Sequence, residues 1–469
     1  MKKIIVFCVM LLIFPALLFT GAFLLPAQYE ETFLGELKYK WKLLSETERK
    51  KIVFVGGSSV AFGIDSGLIR QEFPEYEVVN FGMYAALGTK TMLDLSKDQI
   101  NAGDVVVILP EQQEQTLSLY FNGEYLWQAL DGAFYLLGEI PSEDYGKLLG
   151  TLPGFSAEKW KRTLTGKKFD VPEVYNRSSF DSYGDLVSEK ASCNIMPDGF
   201  DRQMPIQLEK DLPGDEFAGY LNSYAEEISE KGAAVWYHFC PMNRAAVKNP
   251  EDIEDYYEEL YQKLQFPIAG DPRDCLMEPG WFYDTNFHLN SSGKTVYTKQ
   301  MVKDLKAMFG NSSPTKIDLP AMPELFYRTV EEAVLDNSDS GYFLWELKDG
   351  EAYLTGLTEE GKEQKELTVP CSVEGHTVRR LYAELFCGNT KVEKVVLQNS
   401  ISWIENGAFD GCSRLKEIVL LEKDPSRCLV GEGLLEGTNS RILVPREAID
   451  AYRLHYSWSV YGDRIEADR

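Results

Sequence analysis

Two short segments that lie far apart in the chain carry a serine-rich turn and a histidine-bearing loop. Residues 55–65 read VGGSSVAFGID and continue the predicted strand 51–55. Residues 282–293 read FYDTNFHLNSSG and lead into the predicted helix 291–309. The glycines of the first segment allow a sharp turn out of the strand. The chain has only 4 histidines, and one of them lies in the second segment, so chance placement is a poor explanation.

Strand and helix patterns alternate through the part of the chain that holds these segments. The predicted strands are 51–55, 77–81, 104–109 and 234–239. The predicted helices are 215–231, 251–265 and 291–309. The run 104–109 is almost wholly apolar, as expected of a parallel strand covered on both faces. The pattern predicts an α/β domain over residues 45–310, with a parallel sheet between two layers of helices. Residues 115–214 interrupt the alternation and form a predicted insertion at the carboxyl edge of the sheet.

Together, the two segments resemble the SGNH (GDSL-like) superfamily of hydrolases and acyltransferases, in which a serine comes early and an aspartate and a histidine late. Members of that family read Gly-Asp-Ser-x-x-x-Gly after the first strand. Gly57–Gly63 (GSSVAFG) matches this pattern, with serine in place of the aspartate. The four-residue spacing to Gly63 indicates that Ser59, and not Ser58, is the nucleophile that the resemblance implies. The serine variant looks like the branch that contains the teichoic-acid D-alanylation protein and the alginate acetylation proteins.

The family's last block, Asp-x-x-His-Leu-Asn, is matched by residues 284–290 (DTNFHLN), with one additional residue between Asp and His. The resemblance implies that His288 is the catalytic base and that Asp284 orients it. This fits general chemistry, since a serine hydroxyl needs an adjacent base and a carboxylate on the other ring nitrogen fixes the imidazole. The alternative is purely structural: GGSS is an ordinary strand-to-helix turn, and Asn290 or Ser291 merely caps a helix.

The second block of the family supplies a glycine amide to the oxyanion. Residues 79–82 (VNFG) match it after a short strand. The resemblance therefore implies that the backbone amides of Gly82 and Ser59 stabilise the oxyanion.

The third block of the family, Gly-x-Asn-Asp, is absent. Strand 104–109 runs instead into Pro110-Glu111-Gln112, and Gln112 is the substitute oxyanion donor that this position suggests. Glu111, and Asn243 at the end of the predicted strand 234–239, are candidates for substrate contact.

Composition argues against several classes of function. The formal net charge is -25, without a basic stripe to offset the excess of acid, so nucleic acid is a poor partner. The 8 cysteines form no CxxC motif and no Cys/His ligand pattern, which argues against a zinc site. We expect no metal and no organic cofactor, because the serine chemistry above needs neither.

The amino terminus is a predicted membrane anchor. Two lysines are followed by a run without a single charge, from residue 4 to residue 25. As a helix this run would be ~33 Å long, enough for a hydrocarbon core of about 30 Å. We expect residues 1–27 to be an uncleaved transmembrane signal anchor and residues 28–50 to be a helical stalk. The alternative is a cleaved signal peptide and a secreted protein, for which Pro26-Ala27-Gln28 is a poor cleavage site.

The carboxyl-terminal part contains an internal repeat. Residues 311–319 (NSSPTKIDL) read as a linker. Beyond it, residues 378–397 align with residues 401–420 at an offset of 23, a period typical of leucine-rich solenoids. The sequence AFDGCSRLKEI at 408–418 resembles the BspA-type leucine-rich repeat of bacterial surface proteins. We therefore expect residues 320–469 to form a short solenoid domain.

The two resemblances together imply a single-pass protein of the cell membrane with both domains outside the cell. The implied activity is that of a serine esterase acting on acyl esters, O-acetyl in particular, of a cell-wall polymer or surface polysaccharide. One alternative is an acyltransferase that works with a membrane acyl-export partner protein. The other is a non-catalytic protein for surface binding or adhesion.

Overall fold

The computed structural model describes residues 19–166, 171–196, 199–208, 212–324, 336–348, 350–383, 385–431, 433–455 and 457–468. By their contacts, these residues fall into two compact units. The first lies within Met1–Phe169, Glu173–Asn194 and Ile206–Glu324, and the second within Asp170–Pro172, Ile195–Pro205 and Leu325–Arg469.

A four-stranded parallel sheet lies in the first unit. Its strands are β1 (Lys51–Gly56), β2 (Glu77–Gly82), β3 (Val105–Leu109) and β4 (Ala234–Tyr237). The spatial order is β2-β1-β3-β4, and each neighbouring pair is parallel. Every residue of β1 and β3 is buried, as the apolar sequences of parallel strands require. A short parallel pair, β5 (Met242–Asn243) and β6 (Leu276–Met277), follows.

The helices of the first unit include several that the sequence predicts. The helices of this unit are α1 (Leu37–Glu46), α2 (Ser58–Gly63), α3 (Ser66–Glu72), α4 (Thr89–Lys97), α5 (Gly123–Ala129), α6 (Tyr145–Thr165), α7 (Asp215–Glu230), α8 (Ile253–Lys263) and α9 (Ser291–Met308). The last three correspond to the predicted helices. The prediction of a mixed α/β unit with a parallel sheet is confirmed, whereas its division into three layers stays a prediction.

The insertion at 115–214 is more regular than its sequence suggests. It contains α5 and the long helix α6, which ends at Gly166 in the left-handed region with φ 66°. Trp127 of α5 stacks on Phe155 of α6 with their ring centroids 5.6 Å apart. Both rings are buried, so these aromatic side chains form the core of the insertion.

Residues 28–50, the predicted helical stalk, contain helix α1 and lead into β1. Helix α1 buries Leu37, Lys40 and Leu44 in the first unit. The ammonium of Lys40 donates to the carbonyl oxygens of Gly82 and Gly184, each at 2.7 Å. The sequence does not show that Lys40 is buried, because a buried lysine can be distinguished from an exposed one only when its partners are known.

The predicted membrane span, residues 4–25, lies mostly outside the described residues. Within the described part of the chain, no helix is both long and apolar enough to cross a bilayer.

The second unit is built from short strands that repeat along the chain. They are β7 (Phe343–Lys348), β8 (Glu351–Leu357), β9 (Glu366–Val369), β10 (Ser372–Val373), β11 (His376–Thr377), β12 (Arg380–Leu381), β13 (Lys394–Leu397), β14 (Trp403–Ile404), β15 (Glu417–Leu420), β16 (Leu429–Val430), β17 (Arg441–Val444) and β18 (Ile465–Ala467). Two short helices accompany these strands, α10 (Glu359–Lys362) and α11 (Ile449–Leu454). Ten of these strands form two five-stranded sheets, in the orders β16-β14-β12-β8-β7 and β18-β17-β15-β13-β9, and β10 and β11 form an antiparallel pair.

In each of the two sheets, the strand pair that corresponds to the aligned repeats has the register of the sequence repeat. Leu381 of β12 pairs with Ile404 of β14, and Val395 of β13 pairs with Ile418 of β15, each 23 positions further along the chain. All four side chains are buried in one apolar cluster. One turn of such a coil cannot bury its own apolar face, so each turn is stabilised by its neighbours.

A column of glycines accompanies this register. Gly388, Gly411 and Gly437 all have φ near +70° (70°, 68° and 69°). A Cβ on Gly411 would lie 3.5 Å from the Cα of Gly388, and a Cβ on Gly437 would lie 3.5 Å from the amide nitrogen of Gly411. The positive φ favours glycine at each of these three positions, where successive turns come close together.

The predicted linker is partly bound to the first unit. The amide of Lys316 donates to the Glu72 carboxylate at 2.6 Å. The ammonium of Lys306 donates to that carboxylate at 2.6 Å and to the carbonyl of Pro314 at 3.1 Å. The first unit therefore extends to Glu324, and truncation after Gly310 would remove residues that pack on it.

Candidate active site

Three neighbouring strands end at the same edge of the first unit's sheet. Gly56 at the end of β1 is in register with Gly82 of β2 and with Leu109 of β3. Gly57 follows β1, and helix α2 begins at Ser58. Because the carboxyl ends of parallel strands meet at one edge, the turn after β1 and the loop after β3 lie side by side.

A tight loop before α9 brings the predicted histidine and aspartate together. The amide of Tyr283 donates to the carbonyl of His288 at 2.8 Å, which closes the loop. The Thr285 hydroxyl accepts hydrogen bonds from the amides of Phe287 and His288, at 3.2 and 3.0 Å. Nδ1 of His288 then lies 2.8 Å from Oδ1 of Asp284. The additional residue in this block is accommodated by the closed loop, so the pair is in contact as the sequence predicts.

The serine that faces the histidine is Ser58. Its Oγ lies 2.7 Å from Nε2 of His288. The hydroxyl of Ser59 is fully buried and has no hydrogen-bond partner among the described residues. The motif spacing selects Ser59, but the serine in contact with His288 is its neighbour, Ser58. The reason is that α2 begins at Ser58, and this helix start directs Ser58 and not Ser59 at His288.

Two aromatic side chains hold the histidine and the aspartate in place. The Tyr175 hydroxyl donates to Oδ2 of Asp284, and it lies 3.3 Å from Nδ1 of His288. The ring of Phe62 stacks on the imidazole with centroids 4.0 Å apart and planes 2° from parallel. Tyr175 belongs to the insertion, where many aromatic residues follow one another without a period. No sequence signal distinguishes it from its neighbours.

The predicted oxyanion donors already have acceptors in the protein. The amide of Gly82 donates to Oδ1 of Asn80 at 3.0 Å. The amide of Ser59 donates to Oε1 of Glu111 at 2.9 Å, and the same oxygen lies 3.2 Å from Oγ of Ser58. Glu111, predicted to contact substrate, therefore contacts the serine pair itself.

Gln112 and Asn243 have structural partners. Oε1 of Gln112 accepts from the Tyr256 hydroxyl at 2.9 Å, and its Nε2 donates to the carbonyl of Gln207 at 3.4 Å. The fully buried Asn243 accepts from the amide of Ala245 at 3.2 Å and so caps a turn. The oxyanion donor at Gln112 and the substrate contact at Asn243 stay predictions.

A buried polar network lies behind Gly82. Asn80 donates to Oδ1 of Asp185 at 2.8 Å, and Lys40 donates to the carbonyls of Gly82 and Gly184. Burial raises the pKa of Asp185 to about 6 and lowers the pKa of Lys40 to about 8. The network fixes the end of β2, which is the strand nearest to the serine turn on one side.

The hydrogen-bonded chain Ser58–His288–Asp284 has the layout of a nucleophile, a base and an orienting carboxylate. When Asp284 accepts the Nδ1 proton, Nε2 is the free acceptor for the Ser58 hydroxyl. Ser58, His288 and Asp284 are all buried, with 5%, 6% and 0% of their surfaces exposed. Within the described residues, no group of three or more His, Cys, Asp or Glu side chains is placed to hold a metal ion.

Comparisons with known proteins concern the repeat. No family model matches the chain, and no curated protein matches it significantly. Among solved structures, the chain is similar to a leucine rich cell surface protein from Faecalibacterium prausnitzii, with 21% identity over 24% of this chain and 32% of that one, at a TM-score of 0.18. It is also similar to a leucine-rich repeat protein from Bacteroides ovatus, with 18% identity over 23% of this chain and 35% of that one, at a TM-score of 0.19. The match thus spans about a third of the length of each of these proteins.

Proposed function

We propose that the first unit is a serine esterase of the SGNH type in which Ser58 is the nucleophile. The observation that carries the proposal is the unbroken hydrogen-bond chain from Ser58 through His288 to Asp284, at 2.7 and 2.8 Å. These distances are within the range in which a base activates a serine hydroxyl. The structural alternative, in which the serine turn only starts a helix, gives no reason for a histidine and a buried aspartate to line up behind it.

The chemistry follows from the roles of the three side chains. Oγ of Ser58 attacks the acyl carbonyl, and its proton passes to Nε2 of His288. The imidazolium is stabilised by Asp284, and it returns the proton to the leaving alcohol as the ester bond breaks. Water then attacks the acyl group on Ser58, with His288 again taking and returning a proton. Tyr175 holds the second oxygen of Asp284 and so keeps the carboxylate aligned with the ring.

The substrate class that we propose is an acyl ester, O-acetyl in particular, of a cell-wall polymer or surface polysaccharide. A location in the cell membrane, with the chain beyond residue 27 outside the cell, is part of the same proposal. It is supported by the uncharged run of residues 4–25 and by the acidic composition. The corresponding measurement is acetate release from an O-acetylated surface polysaccharide by the full chain.

Acyl transfer is a second candidate, and the burial of the nucleophile favours it. Ser58 and His288 are only 5% and 6% exposed, and a site that excludes water protects an acyl-enzyme from hydrolysis. An acyltransferase would receive its acyl group from a membrane partner and pass it to a polymer hydroxyl. The test incubates the full chain with an activated acetyl ester and a polysaccharide acceptor, and it measures acetylation of the acceptor. Transfer acetylates the acceptor, whereas hydrolysis releases only acetate.

The nucleophile is tested with the full chain and a serine-reactive fluorophosphonate. We expect Ser58→Ala to abolish labelling and the hydrolysis of 4-nitrophenyl acetate, because it removes the atom that attacks. The matched variant Ser59→Ala removes a hydroxyl without a partner and should keep both activities. Retention of labelling in Ser58→Ala, with its loss in Ser59→Ala, would restore Ser59 as the nucleophile.

A further inference from the structure

We propose that the Glu111 carboxylate is the resting occupant of the position that the substrate's oxyanion must take, and that it holds the site closed until it is displaced. This inference rests on the proposed function, since it assumes that Ser58 attacks an acyl carbonyl. It adds a residue that opposes the reaction and competes directly with acyl substrates.

Glu111 occupies this position by direct contact with both serines. Its Oε1 accepts the backbone N–H of Ser59 at 2.9 Å and lies 3.2 Å from Oγ of Ser58. An oxyanion that forms when Ser58 attacks a carbonyl must sit beside Oγ and accept from neighbouring amides. The carboxylate oxygen therefore lies where that oxyanion would form, and it already accepts from the Ser59 amide that the oxyanion would use.

The turn after β1 is shaped to admit this carboxylate. Gly57 has no side chain, and a Cβ added there would lie 2.6 Å from Oε1 of Glu111. Glu111 is only 3% exposed, and in the described part of the chain no lysine, arginine or histidine nitrogen forms an ion pair with it. A buried carboxylate normally has a cation partner. Within the described residues, the carboxylate accepts from the Ser59 amide and the Ser58 hydroxyl, so Glu111 depends on the reaction site for its hydrogen bonds.

Glu111 also competes with His288 for the serine proton. The Ser58 hydroxyl has one hydrogen, but two acceptors lie within hydrogen-bond distance, Nε2 of His288 and Oε1 of Glu111. A hydroxyl that donates to Glu111 does not donate to its base. The carboxylate thus opposes turnover twice, because it fills the oxyanion position and draws the proton away from His288.

The experiment measures the rate of fluorophosphonate labelling in the full chain carrying Glu111→Gln. During labelling, Oγ of Ser58 forms a bond to phosphorus, the P–F bond breaks, fluoride leaves, and the hydroxyl proton passes to His288. We expect labelling to be at least about tenfold faster than in the native chain, because a neutral amide competes far less well than a carboxylate for these donors. Glu111→Ala, which empties the position, should also accelerate labelling.

Glu114→Gln is the matched control, since it makes the same change of charge at an exposed residue three positions away. It should leave the rate unchanged, and thermal melts should show that each variant is folded. A Ser58-dependent rate that stays the same or falls in both Glu111 variants would overturn the proposal and make Glu111 a supporting residue. Labelling that persists when Ser58→Ala is combined with Glu111→Gln would instead count against Ser58 as the nucleophile.

Discussion

The two units bury different kinds of side chain. In the first, pairs of opposite charge are fully enclosed: Lys159 lies 2.6 Å from Asp131 and Lys51 lies 2.8 Å from Asp104, with at most 2% of each side chain exposed. In the second, the repeat strands share one large cluster of apolar side chains, and ion pairs such as Arg441 with its neighbouring glutamates lie at the surface. A buried charge is stabilised by one specific partner of opposite charge. A turn of an apolar solenoid is stabilised by any adjacent turn of the same shape. The first unit therefore depends on specific distant pairs, and the second on repetition.

The largest effect that we expect comes from the aspartate of the candidate triad. Asp284→Asn removes the carboxylate that orients His288, and turnover of a small ester should fall on the order of 10⁴-fold, as in serine proteases. The matched change Asp463→Asn, at an exposed site of the second unit, should have no effect. A loss smaller than about tenfold would show that the site works without Asp284.

A buried ion pair gives the next largest effect. Lys159→Met leaves Asp131 buried without its cation and should lower the free energy of unfolding of the first unit by about 3–5 kcal/mol. Lys161→Met, two positions along and mostly exposed, should change it by about 0.5 kcal/mol or less. Chemical denaturation followed by tryptophan fluorescence measures both. Equal stabilities of the two variants would contradict the view that the first unit depends on its buried ion pairs.

The buried Asp185 predicts a pH dependence of about 3 kcal/mol. Because burial raises its pKa from 3.8 to about 6, the folded protein keeps a proton there that the unfolded chain has lost. The contribution of Asp185 to stability is therefore present below about pH 4 and is lost as the pH rises through about 6. Denaturation curves of Asp185→Asn between pH 4 and 7 should lack this loss, whereas the exposed Asp98→Asn should retain it. Parallel pH profiles for Asp185→Asn and the native chain would contradict the prediction.

The smallest effect on catalysis should come from removal of the part of the second unit that follows Glu324. The repeat contributes no residue to the Ser58–His288 pair, so a chain that ends at Glu324 should hydrolyse a small ester at nearly the native rate. A matching chain that ends at Gly310 also loses the contacts of Lys316 and Pro314 with the first unit, and it should melt at a lower temperature. If the chain ending at Glu324 aggregates or loses activity, the repeat covers apolar surface of the first unit and is not a separable module.

How much of the molecule could be predicted from its sequence also differs between the repeat and the distant pairs of the first unit. The repeat offset of 23 could be read from the sequence because each turn depends only on the next, and the strand register has the same offset. The strands of the first unit were also predictable, since buried parallel strands are continuous apolar runs. His288 and Asp284 could be placed because they lie in one local block.

The features that could not be predicted depend on distant partners. Ser58 and Ser59 differ by one position, and the start of α2 directs the first of them at a histidine 230 positions away. Tyr175 comes from an insertion without a period, and Lys40 from a helix whose charge suggests an exposed stalk. A sequence pattern records the local backbone, but it does not record which distant group receives a hydrogen bond.

The glycine column of the second unit has a consequence for how such a domain can change in length. At Gly388, Gly411 and Gly437, successive turns lie close to van der Waals contact with one another. Length varies elsewhere: nine positions separate β15 from β16 (Leu420 to Leu429), against six between β13 and β14 (Leu397 to Trp403). The additional residues form a short helical corner at Pro425–Arg427. A difference in length between two turns is thus accommodated at a corner, so we expect such a domain to tolerate insertions at its corners and otherwise to lengthen by whole turns.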